Sequence, residues 1–343
     1  MSEGELVVCD LAQARARAGR DGNAPEVARA LRAGGAHAVC IVGARGGMDW
    51  LDTAHARGWL AGPPQAVQAF TGAMQRALAQ GFVAADAAIL AKMLAPEALP
   101  ALSWSEQPPL APAFAAPSRR LDLYAIVDSA QRLRQVLDAG VRTVQLRIKM
   151  PPSPDAAWHA MLRDEVGQAI GDSAAVGAEL FVNDHWRLAQ ELGATGVHLG
   201  QEDLLALGDA GRAQLRASGL ALGVSSHSLW ELCRARALSP RYIACGPVWP
   251  TLTKDMPWVP QGLDNLSWWR RVAGVPVTAI GGILDAREVQ AAASTGVDGV
   301  CIVRGLGEDP RQTVPALQAA LAAGRVQVRA PAAWPHPTLP PDF

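Results

Sequence analysis

Between residues 121 and 323 the chain alternates short apolar runs with segments of helical composition, eight times over. The predicted strands are 121–127, 143–148, 179–183, 196–199, 221–225, 242–246, 276–280 and 299–303. The predicted helices are 129–139, 155–170, 185–192, 203–218, 228–237, 264–273, 285–295 and 309–323. The strand runs are apolar at successive positions, as parallel strands covered on both faces must be. Eight such units in about 205 residues fit a closed (β/α)8 barrel better than a doubly wound open sheet, which is the rival. The fold class expected is therefore α/β, a (β/α)8 TIM barrel carrying a small N-terminal α/β appendage.

The rest of the chain divides by composition. Residues 1–100 hold apolar runs at Glu5–Cys9 and Ala38–Val42 and helical stretches at Pro25–Ala33 and Gln65–Leu94. That predicts two strands and three helices, with no cluster able to do chemistry. Residues 101–119 contain Pro108, Pro109, Pro112 and Pro117 and read as a linker, because proline removes backbone donors and disfavours helix. The barrel is expected over 120–325. Residues 326–343, again proline-rich, read as a tail draped over the surface or mobile.

Half the residues are hydrophobic and the formal net charge is −1. That balance argues against nucleic-acid or membrane surfaces, which reward basic excess. No apolar run approaches the roughly 18 residues of a membrane span, and no signal-peptide pattern opens the chain. The five cysteines lack paired spacing, and three of them sit in apolar strand-like or helical settings that read as buried thiols. A cytoplasmic protein acting on small molecules is expected; a homo-oligomer is left open.

Polar residues gather where the strands end. Gln145, Arg147 and Lys149 alternate, which puts them on one face of a strand. Inside a barrel two such cations need an anion, whereas a solvated edge strand would explain the pattern as simply. Asn183-Asp184 and Asp203 follow consecutive strands. Either aspartate alone reads as a helix N-cap; together, facing a basic strand, they favour Mg²⁺, which takes oxygen ligands. Ser225 ends another strand, and Thr251, Thr253 and Lys254 lie in a proline-rich loop suited to pyrophosphate or to no ligand at all. Gly281-Gly282 and Val303-Arg304-Gly305 end the last two strands, where barrels bind phosphate through backbone amides. His198 reads as a packed strand histidine, and His185 and His227 as no stronger. No histidine spacing suits zinc. Of the later tryptophans, Trp249 is the one expected near the site, with Trp268-Trp269 packing a helix.

In order and content this series resembles the thiamine-phosphate synthase family over about residues 119–325. The matching motifs are QxRxK, FVNDH, GVHLGQED, GVSSH, GPVxPTxTK, AIGGI and DGVxIV. The resemblance implies a (β/α)8 barrel that condenses hydroxymethylpyrimidine diphosphate with hydroxyethylthiazole phosphate, with Mg²⁺, to thiamine phosphate and pyrophosphate. It implies that Gln145, Arg147, Lys149 and Asn183 contact the pyrimidine diphosphate and that Asp184 and Asp203 hold Mg²⁺. Ser225 and Lys254 would meet the leaving pyrophosphate. Thr251, Thr253, Gly282, Val303 and Arg304 would hold the thiazole phosphate. Arg147, Lys149, Ser225 and Lys254 are the catalytic set so implied.

Two positions depart from the family pattern. Ile148 replaces a glutamate and should face away from the interior, and Arg304 stands where serine is usual. A thiazole tautomerase, or a binding barrel without turnover, is the competing reading. The first hundred residues loosely resemble the C-terminal part of hydroxymethylpyrimidine-phosphate kinase. They have Ala61-Gly-Pro-Pro-Gln65 in place of its glycine-rich anion hole, which implies a non-catalytic remnant.

Overall fold

The structure, a computed structural model, describes residues 5–95, 98–110, 120–251 and 257–340. The N-terminal unit runs β1 (Leu6–Cys9), α1 (Leu11–Ala18), α2 (Ala24–Ala33), β2 (Ala38–Arg45), β3 (Met48–Asp52) and β4 (Arg57–Ala61). It closes with α3 (Val67–Ala79), α4 (Ala84–Lys92) and β5 (Ala101–Leu102). Its sheet has the order β1-β2-β3-β4-β5, with β1 parallel to β2 and the remaining pairs antiparallel. Side chains alternate as a period of two demands. Val39, Ile41, Trp50 and Trp59 pack toward α1 and α2, while Cys40, Leu51 and Leu60 pack toward Phe70, Met74 and α4.

This differs from the two strands and three helices expected. The β3–β4 hairpin escaped because Asp49 and Asp52 lie in it, yet both are buried. Asp49 pairs with the fully buried Lys92 at 2.8 Å, and Asp52 with Arg57 at 3.0 Å. The helical stretch expected over 65–94 forms α3 and α4, divided near Gly81, whose φ is 90°. The start of the expected linker is also ordered: Ala101–Leu102 pairs with β4, and the Trp104 indole donates to Arg234 O at 2.8 Å.

The second unit runs β6 (Asp122–Val127), α5 (Ala130–Asp138), β7 (Thr143–Leu146), α6 (Ala156–Ala175), β8 (Glu179–Asn183), α7 (Trp186–Leu192) and β9 (Gly196–Leu199). Then come α8 (Gln201–Ala206), α9 (Gly208–Ala217), β10 (Ala221–Ser226), α10 (Leu229–Arg236), β11 (Tyr242–Cys245) and α11 (Gly262–Val272). It ends with β12 (Val277–Ala279), α12 (Ala286–Ala293), β13 (Gly299–Ile302) and α13 (Pro310–Val326). The eight strands β6–β13 are all parallel and close into a barrel, with β13 against β6, so the open-sheet rival is excluded. The helix expected over 203–218 is two, divided at Gly208, which takes φ 62°.

The barrel interior is floored by Tyr124, Phe181 and Tyr242, whose rings meet at centroid distances of 5.0–5.8 Å. Removing a buried ring of this kind costs roughly 3–5 kcal/mol. Gly223 makes the arrangement fit: a Cβ there would lie 2.3 Å from the Tyr242 ring.

The tail is draped rather than loose where it is described. His336 exchanges backbone hydrogen bonds with the Asn265 side chain, Val259 N donates to Thr338 O at 2.9 Å, and Leu339 is buried. Among the described residues no helix is long and apolar enough to cross a membrane.

Candidate active site

A cavity of about 350 Å³ opens at the C-terminal ends of the barrel strands. Parallel strands all end there, so their last residues converge on one volume. Gln145, Arg147, Asn183, Asp184, Asp203 and Ser225, in or after β7 to β10, line it together with Thr251, Gly282, Val303 and Arg304, which follow β11 to β13. The structure therefore brings these ten sequence-predicted residues together. Lys149 is exposed beyond the end of β7, which stops at Leu146, and it does not line the cavity. Arg147 still continues the ladder, its N–H bonding Val127 O at 2.7 Å. Ile148 is half-buried and packs against the core. Thr253 and Lys254 lie outside the described residues.

The N-cap reading of the two aspartates does not hold. Asp184 precedes α7, but that helix begins after His185 and has no side-chain cap bond. Asp184 instead takes φ 66°, a left-handed conformation that non-glycine residues adopt rarely and chiefly at functional turns. Asp203 sits at the third position of α8, and one carboxylate oxygen accepts the Gly200 N–H at 3.0 Å. Burial, and then the charge of Asp203, push the Asp184 carboxyl above its ordinary range. A carboxyl raised by burial and by a neighbouring carboxylate's charge is one that a cation would stabilise in its ionised form. Among the described residues no group of three His, Cys, Asp or Glu side chains could hold a metal. Two carboxylates fit Mg²⁺, which keeps waters and takes further oxygens from phosphate.

Behind Ser225 runs a buried polar chain. Gln145 Nε2 donates to the Tyr124 hydroxyl at 3.0 Å, and that hydroxyl lies 2.6 Å from the Tyr242 hydroxyl. Tyr242 lies 2.7 Å from His198 Nδ1, and His198 Nε2 lies 2.7 Å from Ser225 Oγ. Burial, with a smaller contribution from Arg147, pushes the His198 pKa down to about 3, so the ring is neutral. His198 is thus hydrogen-bonded as expected, and it also lines the cavity.

Sequence reasoning missed several neighbours. Gln201 Nε2 reaches Ser226 Oγ at 3.0 Å, Ser225 O at 3.2 Å and Glu231 O at 3.3 Å. Glu231 accepts from His227 N–H at 2.6 Å and meets its Nδ1 at 2.9 Å. Trp258, not Trp249, is the tryptophan in the cavity wall; it stacks flat on His227 at 5.1 Å, 10° between planes. Trp249 packs instead under Gly282, where a Cβ would lie 2.6 Å from the tryptophan Cβ. A glutamine directly after Gly200 was the one signal available for this group.

At the far end, Gly282 has φ 73° and the chain after β13 turns into a 3-10 segment, Arg304–Leu306. Glycine there lets backbone amides approach an oxyanion closely.

Fold and cavity define a phosphate-handling (β/α)8 barrel with a carboxylate pair at its mouth. The family described as thiamine monophosphate synthase matches residues 123–306. A thiamine-phosphate synthase of Rhizobium etli is 44% identical over 193 residues, covering 56% of this chain and 90% of that protein. One from Neisseria meningitidis is 43% identical over 203 residues, covering 58% and 94%. The solved thiamine phosphate pyrophosphorylase of Pyrococcus furiosus superposes with a TM-score of 0.50 at 27% identity, covering 60% of this chain and 96% of that one. The chain belongs to the thiamine monophosphate synthase family.

Proposed function

We propose that the barrel is a thiamine-phosphate synthase that joins hydroxymethylpyrimidine diphosphate to hydroxyethylthiazole phosphate. Family membership supports the reaction. The observation that carries the assignment of its parts is a single cavity that gathers Arg147, Asp184 and Asp203, which follow β7, β8 and β9, with Gly282, Val303 and Arg304, which follow β12 and β13. The first group suits a diphosphate and the second a monoester.

The bond between the pyrimidine methylene carbon and the diphosphate oxygen breaks, and its electron pair leaves with pyrophosphate. The ring-stabilised methylene cation is then captured by the lone pair of the thiazole nitrogen, which forms the new C–N bond. Such a reaction needs no nucleophilic side chain. It needs charge stabilisation on the departing group. Arg147, Ser225 and Lys254 supply that stabilisation to the diphosphate, and Lys149, exposed beyond the end of β7, adds a further positive charge from outside the cavity. Gln145 and Asn183 orient the pyrimidine. Thr251, Thr253, Gly282, Val303 and Arg304 hold the thiazole phosphate. Asp184 and Asp203 would hold Mg²⁺, which when bound stabilises charge developing on the phosphate oxygens. A neutral His198 takes no proton from substrate and serves instead to orient Ser225.

The N-terminal unit is a non-catalytic remnant of a kinase-like fold in this reading. Its buried Lys92 and Asp49 neutralise one another rather than meeting a ligand. Incubation with both substrates and Mg²⁺, with thiamine phosphate and pyrophosphate assayed together, tests the proposal. Absence of both products would sink it.

A further inference from the structure

Barrel helices ordinarily keep one face in water, but seven of the eight residues of α10 are buried. The cover is the N-terminal unit. One hydrophobic cluster runs unbroken from its α3, α4 and β5 into Leu229, Trp230, Leu232 and Cys233. Arg236 Nη1 donates across the junction to Leu99 O at 2.7 Å. This helix leaves the strand that carries Ser225.

We propose that the N-terminal unit is a positioning element for the diphosphate end of the cavity, with Asp86 as its positioning residue. The inference rests on the reading of that cavity given above. Asp86 lies on α4 with 2% of its surface exposed. Its Oδ1 accepts the Trp230 N–H at 3.1 Å. The first N–H groups of a helix have no partner within it. On α10 the Ser228 hydroxyl takes the Glu231 N–H, and Asp86 supplies the acceptor for the Trp230 N–H just before it. The first turn of α10 is therefore closed partly from its own chain neighbour and partly from another domain.

That turn is tied to the cavity on its inner side. The Trp230 indole lies between His55 of the N-terminal unit, at 5.3 Å, and Trp258, at 5.7 Å. Trp258 in turn lies on His227, and both line the cavity. Glu231, one residue further along α10, holds His227 and receives Gln201, whose helix also carries Asp203. Loosening the first turn of α10 would release Trp258 and His227 and the Gln201 bonds to Ser225 and Ser226 together.

The test uses the full-length protein and inorganic pyrophosphate with Mg²⁺ as the probe, so that it does not depend on turnover. Asp86→Ala should weaken pyrophosphate binding about fivefold by calorimetry, the equilibrium equivalent of a lost helix cap, and speed amide exchange at Leu229 and Trp230. Asp86→Asn, which keeps an acceptor, should recover most of the affinity. Asp86→Ala that melts lower yet binds pyrophosphate as the wild type does would overturn the proposal. Should Asp86→Ala fail to fold, Trp230→Phe breaks the same path. Weaker binding supports the proposal, and unchanged binding overturns it. A wild-type protein that binds pyrophosphate but forms no thiamine phosphate would remove the synthase reading and leave this test intact.

Discussion

His198 Nε2 lies 2.7 Å from Ser225 Oγ, and this bond ends a chain whose direction is set at Gln145. An amide nitrogen can only donate, so Gln145 Nε2 gives its hydrogen to the Tyr124 oxygen. Tyr124 then donates to Tyr242, and Tyr242 to His198 Nδ1. Burial keeps both phenols protonated, raising them well above their ordinary value. A neutral His198 that accepts at Nδ1 must carry its proton on Nε2. That proton goes to Ser225 Oγ, and the serine's own hydrogen is left to point into the cavity.

Tyr242→Phe cuts this chain without replacing a residue of the cavity wall. It should lower kcat about tenfold, the worth of one lost hydrogen bond between neutral groups, with both KM values little changed. Ser225→Ala placed on top of it should add far less than it does alone. Nitrogen NMR of the wild type should find His198 protonated at Nε2. Protonation at Nδ1 would reverse the chain and refute this account.

Asp184 and Asp203 should govern the Mg²⁺ requirement. Asp184→Asn and Asp203→Asn should each raise the Mg²⁺ concentration for half-maximal activity and lower turnover by about 100-fold, since each removes part of the charge stabilisation of the leaving group. Because the Asp184 pKa is raised, protons compete with the metal at a higher pH than for an ordinary aspartate. Mg²⁺ affinity should therefore decline early as pH falls. Asp203→Asn removes the neighbouring negative charge and should move that decline to lower pH. An unchanged Mg²⁺ titration in both variants would take these residues out of the metal site.

The barrel was legible because buried parallel strands write themselves as apolar runs that end in polar residues, and ten of the predicted site residues do meet at one mouth. Register beyond a strand end was not legible. Lys149 continues the alternation of Gln145 and Arg147 in sequence, but the strand stops at Leu146 and leaves it outside. The β3–β4 hairpin was hidden because Asp49 and Asp52 look like surface residues until their cationic partners fold onto them. Gln201, Glu231 and Trp258 were hidden for a related reason. Their importance lies in contacts between elements, and no local pattern records which backbone group a glutamine will find.

On the proposed reading, Arg304 and Gly282 would divide the thiazole-phosphate end between a side chain and the backbone. Arg304 is exposed at the cavity rim and free to swing onto an anion. Arg304→Ala should raise KM for the thiazole phosphate about tenfold and leave KM for the pyrimidine diphosphate alone, as loss of one ionic hydrogen bond would. An unchanged KM would assign the phosphate to backbone amides. Gly282→Ala should be worse for both stability and binding. The position needs a left-handed backbone, and the new Cβ would stand 2.7 Å from Trp249 O. A loss of more than about 1 kcal/mol in denaturant unfolding is expected, with the cavity wall displaced.

Asp86 should give the junction between the two units a pH dependence of known sign. Burial pushes its pKa up to about 8, against the opposing pull of the Trp230 and Leu229 N–H groups. In the unfolded chain the carboxyl titrates near its ordinary value, about 4. Between those two values the folded protein binds more protons than the unfolded one, so this group's contribution is fully present at acid pH and fades as pH rises through about 8. Asp86→Asn cannot ionise and lacks that loss. The Tm of the variant relative to wild type should therefore climb between pH 5 and about 9, on a window set by linkage. A constant difference across that range would mean that Asp86 is ionised in the folded protein throughout, with the first-turn amides of α10 outweighing its desolvation.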